Sequence, residues 1–131
     1  MLTIWTYDRM PGGENGPRGF VRDLRVRWAC DEAALDYELK STPFDDRRPE
    51  HFASQPFGQV PFLQDNRITI SESDACLLHL AKKSEKLMRA LVGEADALQW
   101  TVAALNSVEM VSVPWSSSAG PRNQMPGPRT G

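Results

Sequence analysis

Cysteine and histidine are scarce in this sequence, with two of each among 131 residues. Cys30 and Cys76 form no C-x-x-C motif, which excludes the dithiol redox chemistry that such a motif supports. Both are flanked by small or apolar residues, so we expect buried structural thiols. His51 and His79 lack metal-ligand spacing and clustered acidic partners, so we expect structural histidines and no metal site.

Long apolar runs and an excess of basic charge are also absent. No run approaches the roughly 20 residues that a membrane-spanning helix requires. The amino-terminal segment has neither the basic start nor the cleavage site of a signal peptide. The formal net charge is −2 and the sequence pI is about 5.7, so nothing indicates binding to nucleic acid. We therefore expect a cytoplasmic protein that binds neither membrane nor nucleic acid.

The residues that are present predict alternating strands and helices. Strands are predicted where β-forming residues alternate with polar ones, and helices where apolar residues recur every three or four positions, as Val21, Leu24 and Trp28 do. The predicted order is strand 2–7, a glycine- and proline-rich loop 11–17, helix 19–34, strand 36–42, short helix 47–54, strands 59–64 and 67–70, and a helix from residue 75. This β-α-β-α-β-β-α order predicts an α/β sandwich, with a tight hairpin turn at Asp65-Asn66.

Two features beside the predicted hairpin indicate a binding site. Proline inside a strand removes a hydrogen-bond donor, so Pro61 belongs at an edge or a turn. If the Val60–Pro61 bond is cis, Val60 presents its N–H and C=O to a peptide that pairs as an added strand; the residues alone leave this and a simple edge proline open. Ser71-Glu72-Ser73-Asp74 precedes an apolar periodic run, which is typical of a helix start.

Several motifs in the same order resemble the thioredoxin-like, glutathione-binding domain of glutathione S-transferases. The likeness covers about residues 1–85. The motifs that carry it are Arg25-Val26-Arg27-Trp28-Ala29-Cys30-Asp31-Glu32, Leu35-Asp36-Tyr37-Glu38, Pro49-Glu50-His51-Phe52, Pro56-Phe57-Gly58-Gln59-Val60-Pro61-Phe62-Leu63, Ile70-Ser71-Glu72-Ser73-Asp74-Ala75 and His79-Leu80-Ala81.

The resemblance implies a glutathione site built on two of these motifs. In the family the proline of the Val-Pro step is cis, which makes Val60 the main-chain partner of the cysteinyl unit. The Glu-Ser pair that opens the third helix binds the γ-glutamyl end, here Glu72 and Ser73. A helix N-terminus suits a carboxylate, and Glu72 can meet the ligand's ammonium. Gln59 and Arg47, or its neighbour Arg48, fall where the family contacts the glycyl end. The alternative for Glu72 and Ser73 is ordinary helix capping.

The resemblance also implies a residue that activates the thiol of glutathione. The family uses a Tyr, Ser or Cys near the end of the first strand or the start of the first helix, because a hydroxyl directed at sulfur favours the thiolate. The Ser or Cys position falls near Phe20, and no Ser, Thr, Cys or Tyr lies between Asp8 and Asp23. Tyr7 is then the candidate catalytic residue, although it can equally pack in the core. Asn15 or the N–H groups of the glycine-rich loop are further alternatives.

The second half of the chain resembles only the beginning of the family's helical C-terminal domain. Leu98, Val102 and Leu105 lie at helical spacing and predict a helix over 94–110. The composition after residue 115 predicts a disordered tail. We expect a thioredoxin-like domain over 1–85, the first helix of a truncated helical domain over 86–115, and the tail over 116–131.

Two functions remain open at this point. One is a detoxifying enzyme, which transfers the thiol of glutathione, its co-substrate, to a small hydrophobic electrophile and forms a homodimer as the family does. The other is a truncated, non-catalytic thioredoxin-like module that binds glutathione or a protein.

Overall fold

A four-stranded mixed sheet organises the first part of the protein. The computed structural model describes residues 1–8, 22–88 and 93–118. Strand β1 is parallel to β2 and antiparallel to β3, and β3 is antiparallel to β4, which gives the order β2-β1-β3-β4. The strands are β1 (Leu2–Tyr7), β2 (Tyr37–Thr42), β3 (Phe62–Asp65) and β4 (Ile68–Ser71).

Three helices accompany this sheet: α1 (Asp23–Ala33), α2 (Pro49–Ser54) and α3 (Ser73–Ala81). The predicted β-α-β-α-β-β-α order and the thioredoxin-like α/β fold are confirmed. Strand β3 begins at Phe62 rather than at residue 59, and the proline before it lacks the N–H that a strand ladder needs. The predicted loop 11–17 and the first residues of the predicted helix 19–34 lie outside the described residues.

The main core lies between one face of the sheet and the helices α1 and α3. Its buried residues are Leu2, Ile4, Val26, Ala29, Cys30, Leu63, Cys76 and Leu80. Side chains alternate across a strand, so Leu2, Ile4 and Leu63 share this face.

The large apolar residues of helix α1 lie on its exposed side, and a different side of the helix is buried. Leu24 and Trp28 are 54% and 66% exposed, and the Trp28 indole donates a hydrogen bond to Glu32 on the outer surface. The buried side carries Val26 and Ala29 instead. These residues belong to the core cluster, so this side of α1 packs inward.

The two thiols are buried, as expected for structural cysteines. Burial raises the pKa of Cys30 to about 11 and that of Cys76 to about 12. A thiol is nucleophilic as the thiolate, so neither side chain is a reactive group in the folded protein.

A buried carboxylate ties the end of α3 to the far end of the sheet. Asp65 Oδ2 lies 2.6 Å from Lys83 Nζ and 2.9 Å from His79 Nε2. The hydrogen bond from Lys83, and then that from His79, holds the pKa of Asp65 below its usual value. The next residue, Asn66, has φ +54° and begins the tight turn of the β3–β4 hairpin. The sequence predicts this turn at Asp65-Asn66, but Asp65 is the last residue of β3 and pairs with Ile68, so the turn lies one residue later, at Asn66-Arg67.

This network makes stability depend on pH. We expect Asp65→Asn to lower the free energy of unfolding at pH 7 by about 2 kcal/mol, because a buried ion pair loses one partner while the other remains. The folded-state pKa of Asp65 is lowered, so its contribution is present above the unfolded pKa of about 3.9 and disappears as the pH falls through the folded value. Urea unfolding of both proteins at several pH values measures the difference. Asp36→Asn, at an exposed aspartate, is the control; an equal loss there contradicts the prediction.

Helices also form the following part of the chain. Contacts divide the protein into one unit that ends at Ala97 and another that begins at Leu98. Helix α4 (Gly93–Ala103) is followed by a π-helical segment (Ala104–Glu109) and by α5 (Met110–Ser118). The predicted helix 94–110 therefore forms but changes its winding.

The π-helical segment ends shortly before Pro114, which lies inside α5. Proline has no N–H, and its ring crowds the carbonyl four residues earlier, so an α-helix must adjust in this region.

Helix α5 includes the first three residues of the predicted tail, and residues 119–131 lie outside the described ranges. The predicted domain boundaries stay predictions. None of the helices in the described ranges has the length and apolar character needed to cross a membrane.

Candidate functional site

The register of three strands brings the predicted site residues to one end of the sheet. Phe62, the first residue of β3, lies opposite Trp5 of β1 and Ser71 of β4. The residues that precede Phe62 and those that follow Trp5 and Ser71 therefore meet at this end. They include the candidates Tyr7, Gln59, Val60, Glu72 and Ser73.

The α2–β3 loop carries the Val-Pro step. The Val60–Pro61 peptide bond is cis, as the resemblance implies, and not the trans bond of a simple edge proline. Gln59 is exposed and Val60 is half-buried. Among the described residues, neither the N–H nor the C=O of Val60 has a hydrogen-bond partner. These two groups are therefore available to pair with an extended peptide.

Gln55 supports this loop from inside. Its side chain is 1% exposed, and its Oε1 accepts hydrogen bonds from the main-chain N–H of Phe57 at 2.6 Å and of Gln59 at 3.3 Å. Its own carbonyl accepts from the N–H of Gly58 at 2.9 Å. Gln55 thus accepts hydrogen bonds from three consecutive main-chain N–H groups of the loop. The sequence reasoning missed Gln55, because a lone glutamine carries no signal of burial.

Gly58 occupies a position that favours glycine. Its φ is +62°, in the left-handed region that side chains disfavour. A Cβ at this position would lie 2.7 Å from Phe52 Cε1 and 2.9 Å from Arg47 Cδ. The backbone conformation therefore favours glycine, and a larger residue would have to displace the Phe52 and Arg47 side chains.

His51 holds the same loop through the carbonyl of Gln59. Its Nε2 lies 2.7 Å from that oxygen, and its Nδ1 lies 3.4 Å from Thr42 Oγ1. The ring is buried against Phe62, with 5.5 Å between ring centroids. The sequence predicts a structural role for His51 but does not predict this contact with the loop.

Tyr7 and Arg47 are brought together at the end of β1. Tyr7 Oη accepts a hydrogen bond from Arg47 Nη2 at 3.2 Å and donates one to the carbonyl of Gly58 at 3.4 Å. The guanidinium also lies over the Tyr7 and Phe44 rings, at 5.7 and 5.8 Å from their centroids. Arg48, the alternative to Arg47, offers its main-chain carbonyl to the first turn of α2.

Glu72 and Ser73 form the start of α3. Glu72 is exposed, has φ +68° and makes no side-chain capping bond. Residues held in such conformations cluster at ligand-binding positions. Ser73 is buried as the first helical residue, and Arg25 Nη1 lies 3.3 Å from Asp74 Oδ1, which joins α1 to this helix end. The first turn of a helix has unpaired N–H groups and a partial positive charge, which favour an anion.

Two further expectations concern a metal site and the alternatives to Tyr7. No cluster of three or more metal-ligating side chains occurs within residues 1–8, 22–88 and 93–118. Asn15 and the glycine-rich loop, the alternatives to Tyr7, lie outside the described residues.

Comparison with protein-family models gives a match in the first part of the chain. The model for the glutathione S-transferase N-terminal domain matches residues 16–82. Glutathione S-transferase 4 of Zea mays is 45% identical over 62 residues, which cover 45% of this chain and 28% of that protein. Glutathione S-transferase 1 of Zea mays is 38% identical over 98 residues, which cover 64% of this chain and 45% of that protein. The matched part therefore spans less than half the length of these relatives.

Solved structures show the same fold. Glutathione transferase F7 from Populus trichocarpa superposes with a TM-score of 0.66 at 20% identity, over 89% of this chain and 59% of that chain. A glutathione transferase homologue from sulfitobacter, solved with bound glutathione, gives a TM-score of 0.61 at 26% identity, over 86% of this chain and 52% of that chain.

Proposed function

The chain belongs to the glutathione S-transferase family, and from this premise we propose that it binds glutathione at the end of the sheet where α3 begins. The observation that carries the proposal is the meeting of two complementary groups there. Val60 offers an unpaired main-chain N–H and C=O, and α3 offers its N-terminus with Ser73. A peptide with a carboxylate at one end fits both.

Each part of glutathione has a partner in this arrangement. The cysteinyl unit pairs with the main chain of Val60 in the manner of an added strand. The γ-glutamyl carboxylate binds the N-terminus of α3 and the Ser73 hydroxyl, while Glu72 meets the ammonium in a charge-assisted bond. Gln59 and Arg47 bind the glycyl end. Arg47 is held over two aromatic rings, so its charge lies beside the loop.

We propose Tyr7 as the hydroxyl that favours the thiolate of glutathione. The proton of the thiol leaves to solvent, while the Tyr7 hydroxyl keeps its own proton and redirects its hydrogen bond from the carbonyl of Gly58, 3.4 Å away, to sulfur. The thiolate then forms a C–S bond with a small hydrophobic electrophile, and the leaving group departs with its electron pair. The guanidinium of Arg47, 3.2 Å from Tyr7 Oη, adds positive charge beside the sulfur.

A cytoplasmic homodimer with a role in detoxification belongs to the same proposal. Two free buried thiols suit a reducing compartment. The dimer rests on the resemblance to the family, and analytical ultracentrifugation of the purified chain tests it.

Calorimetric titration with glutathione tests the binding proposal. We expect Ser73→Ala to weaken binding at least tenfold, because a hydrogen bond to a charged group contributes about 1.5–3 kcal/mol. Ser71→Ala is the matched control: it removes the same hydroxyl two positions earlier, on β4, and we expect less than a twofold change. The proposal fails if the folded protein does not bind glutathione, or if both variants lose affinity equally.

A further inference from the structure

We infer that His51 is a positioning residue for glutathione binding: it sets the affinity by fixing Gln59 and Val60, and does not itself contact the ligand. The inference rests on the proposed function. It starts from the 2.7 Å contact between His51 Nε2 and the carbonyl oxygen of Gln59. The ring is 4% exposed and lies beneath the loop, away from the surface that Gln59 and Val60 present.

The hydrogen-bonding chemistry assigns the proton on this imidazole. A carbonyl oxygen only accepts, so Nε2 must carry the hydrogen. In the neutral ring Nδ1 is then the acceptor, and Thr42 Oγ1, at 3.4 Å, is the group placed to donate to it. The last residue of β2 therefore helps to select the tautomer that holds the loop.

His51 and Gln55 together form hydrogen bonds with both main-chain groups of Gln59, its C=O and its N–H. Gln55 Oε1 accepts the N–H of Gln59 at 3.3 Å, and His51 Nε2 donates to its C=O. His51 lies within α2 and Gln55 directly follows this helix, and the N–H of Gln55 donates to the carbonyl of His51 at 2.8 Å. The peptide unit before Val60 is consequently fixed before any ligand arrives. Preorganised groups bind more tightly because less ordering is needed on association.

Two substitutions separate this role from simple packing. His51→Phe keeps a ring beside Phe62 but removes both nitrogens, whereas His51→Gln keeps an amide N–H near the position of Nε2. We expect His51→Phe to weaken glutathione binding about tenfold, and His51→Gln to remain within about threefold of the wild type. In the ligand-free protein, amide hydrogen exchange at Gly58 and Gln59, whose N–H groups donate to Gln55, becomes about tenfold faster in His51→Phe.

Val26→Ala provides a control of comparable instability on the opposite side of the sheet. It leaves glutathione affinity and exchange in the loop unchanged if His51 acts locally. Thr42→Val is a second variant should His51→Phe fail to fold; it keeps the ring and removes the donor to Nδ1, with an expected loss of about threefold.

Four results overturn the inference while leaving the binding proposal in place. They are unchanged affinity in His51→Phe, absence of rescue by His51→Gln, an equal loss in Val26→Ala, and, where His51→Phe does not fold, unchanged affinity in Thr42→Val. If the wild-type protein does not bind glutathione, the proposed function fails. Loop exchange in His51→Phe then still decides whether His51 holds the loop.

Discussion

We expect Tyr7→Phe to conjugate glutathione to a generic aryl halide about a hundredfold more slowly than the wild type, because a donor directed at a developing or localised negative charge typically contributes this much to the rate. Its affinity for glutathione should change less than about threefold, since the hydroxyl acts on sulfur and not on the binding groups. Steady-state rates together with calorimetric titration separate the two effects.

Tyr37→Phe is the matched control for this experiment. It removes the hydroxyl of the other tyrosine in the sequence, which lies at the start of β2, at the opposite end of the sheet from Tyr7. We expect full activity. If Tyr7→Phe retains wild-type turnover, Tyr7 is a packing residue, and its contacts with Arg47, Gly58 and Phe44 are structural. If the wild type binds glutathione but transfers it to no electrophile, the non-catalytic binding module is the correct description.

Gly58→Ala should give the largest loss of stability among single substitutions in the loop. A left-handed conformation costs an alanine about 1 kcal/mol, and the clash of its Cβ with Phe52 and Arg47 adds about 1–2 kcal/mol. We expect glutathione affinity to fall more than tenfold as well, because Gly58 lies between the Gln55 support and the Tyr7 hydroxyl. Denaturant unfolding and calorimetric titration measure the two losses.

Gly93→Ala separates conformational strain from collision. Gly93 has φ +81°, but a Cβ there would meet no atom within 4 Å. Its alanine variant should therefore lose only the conformational part, about 1 kcal/mol, and keep its affinity for glutathione. Equal destabilisation at Gly58 and Gly93 would show that the loop relaxes around the added methyl group.

The strands and the order of elements follow from local patterns. Alternation in Leu2–Tyr7 and the polar residues before α3 are short-range signals, and both correspond to elements of the structure. The cis Val60–Pro61 bond was reached through the resemblance, because the residues alone were compatible with two forms.

The buried side of α1 and the support of the loop follow from contacts between distant segments. Large apolar side chains such as Trp28 suggest that one side of α1 is buried, whereas the side that packs in the core carries Val26 and Ala29. His51 and Gln55 acquire their roles only once the loop after α2 turns back over them. The spacing of residues along the sequence does not predict this turn of the loop.

The short strands β3 and β4 also determine how reliably the site forms during folding. Adjacent residues of a strand face opposite sides, so a slip of β3 by one residue against β1 would turn Leu63 out of the core and Gln64 into it. Such a slip would also carry Val60 away from the end of β1. Misregistered chains are therefore unstable, and the chains that do fold have their Val-Pro step at the end of the sheet where β1 ends and α3 begins.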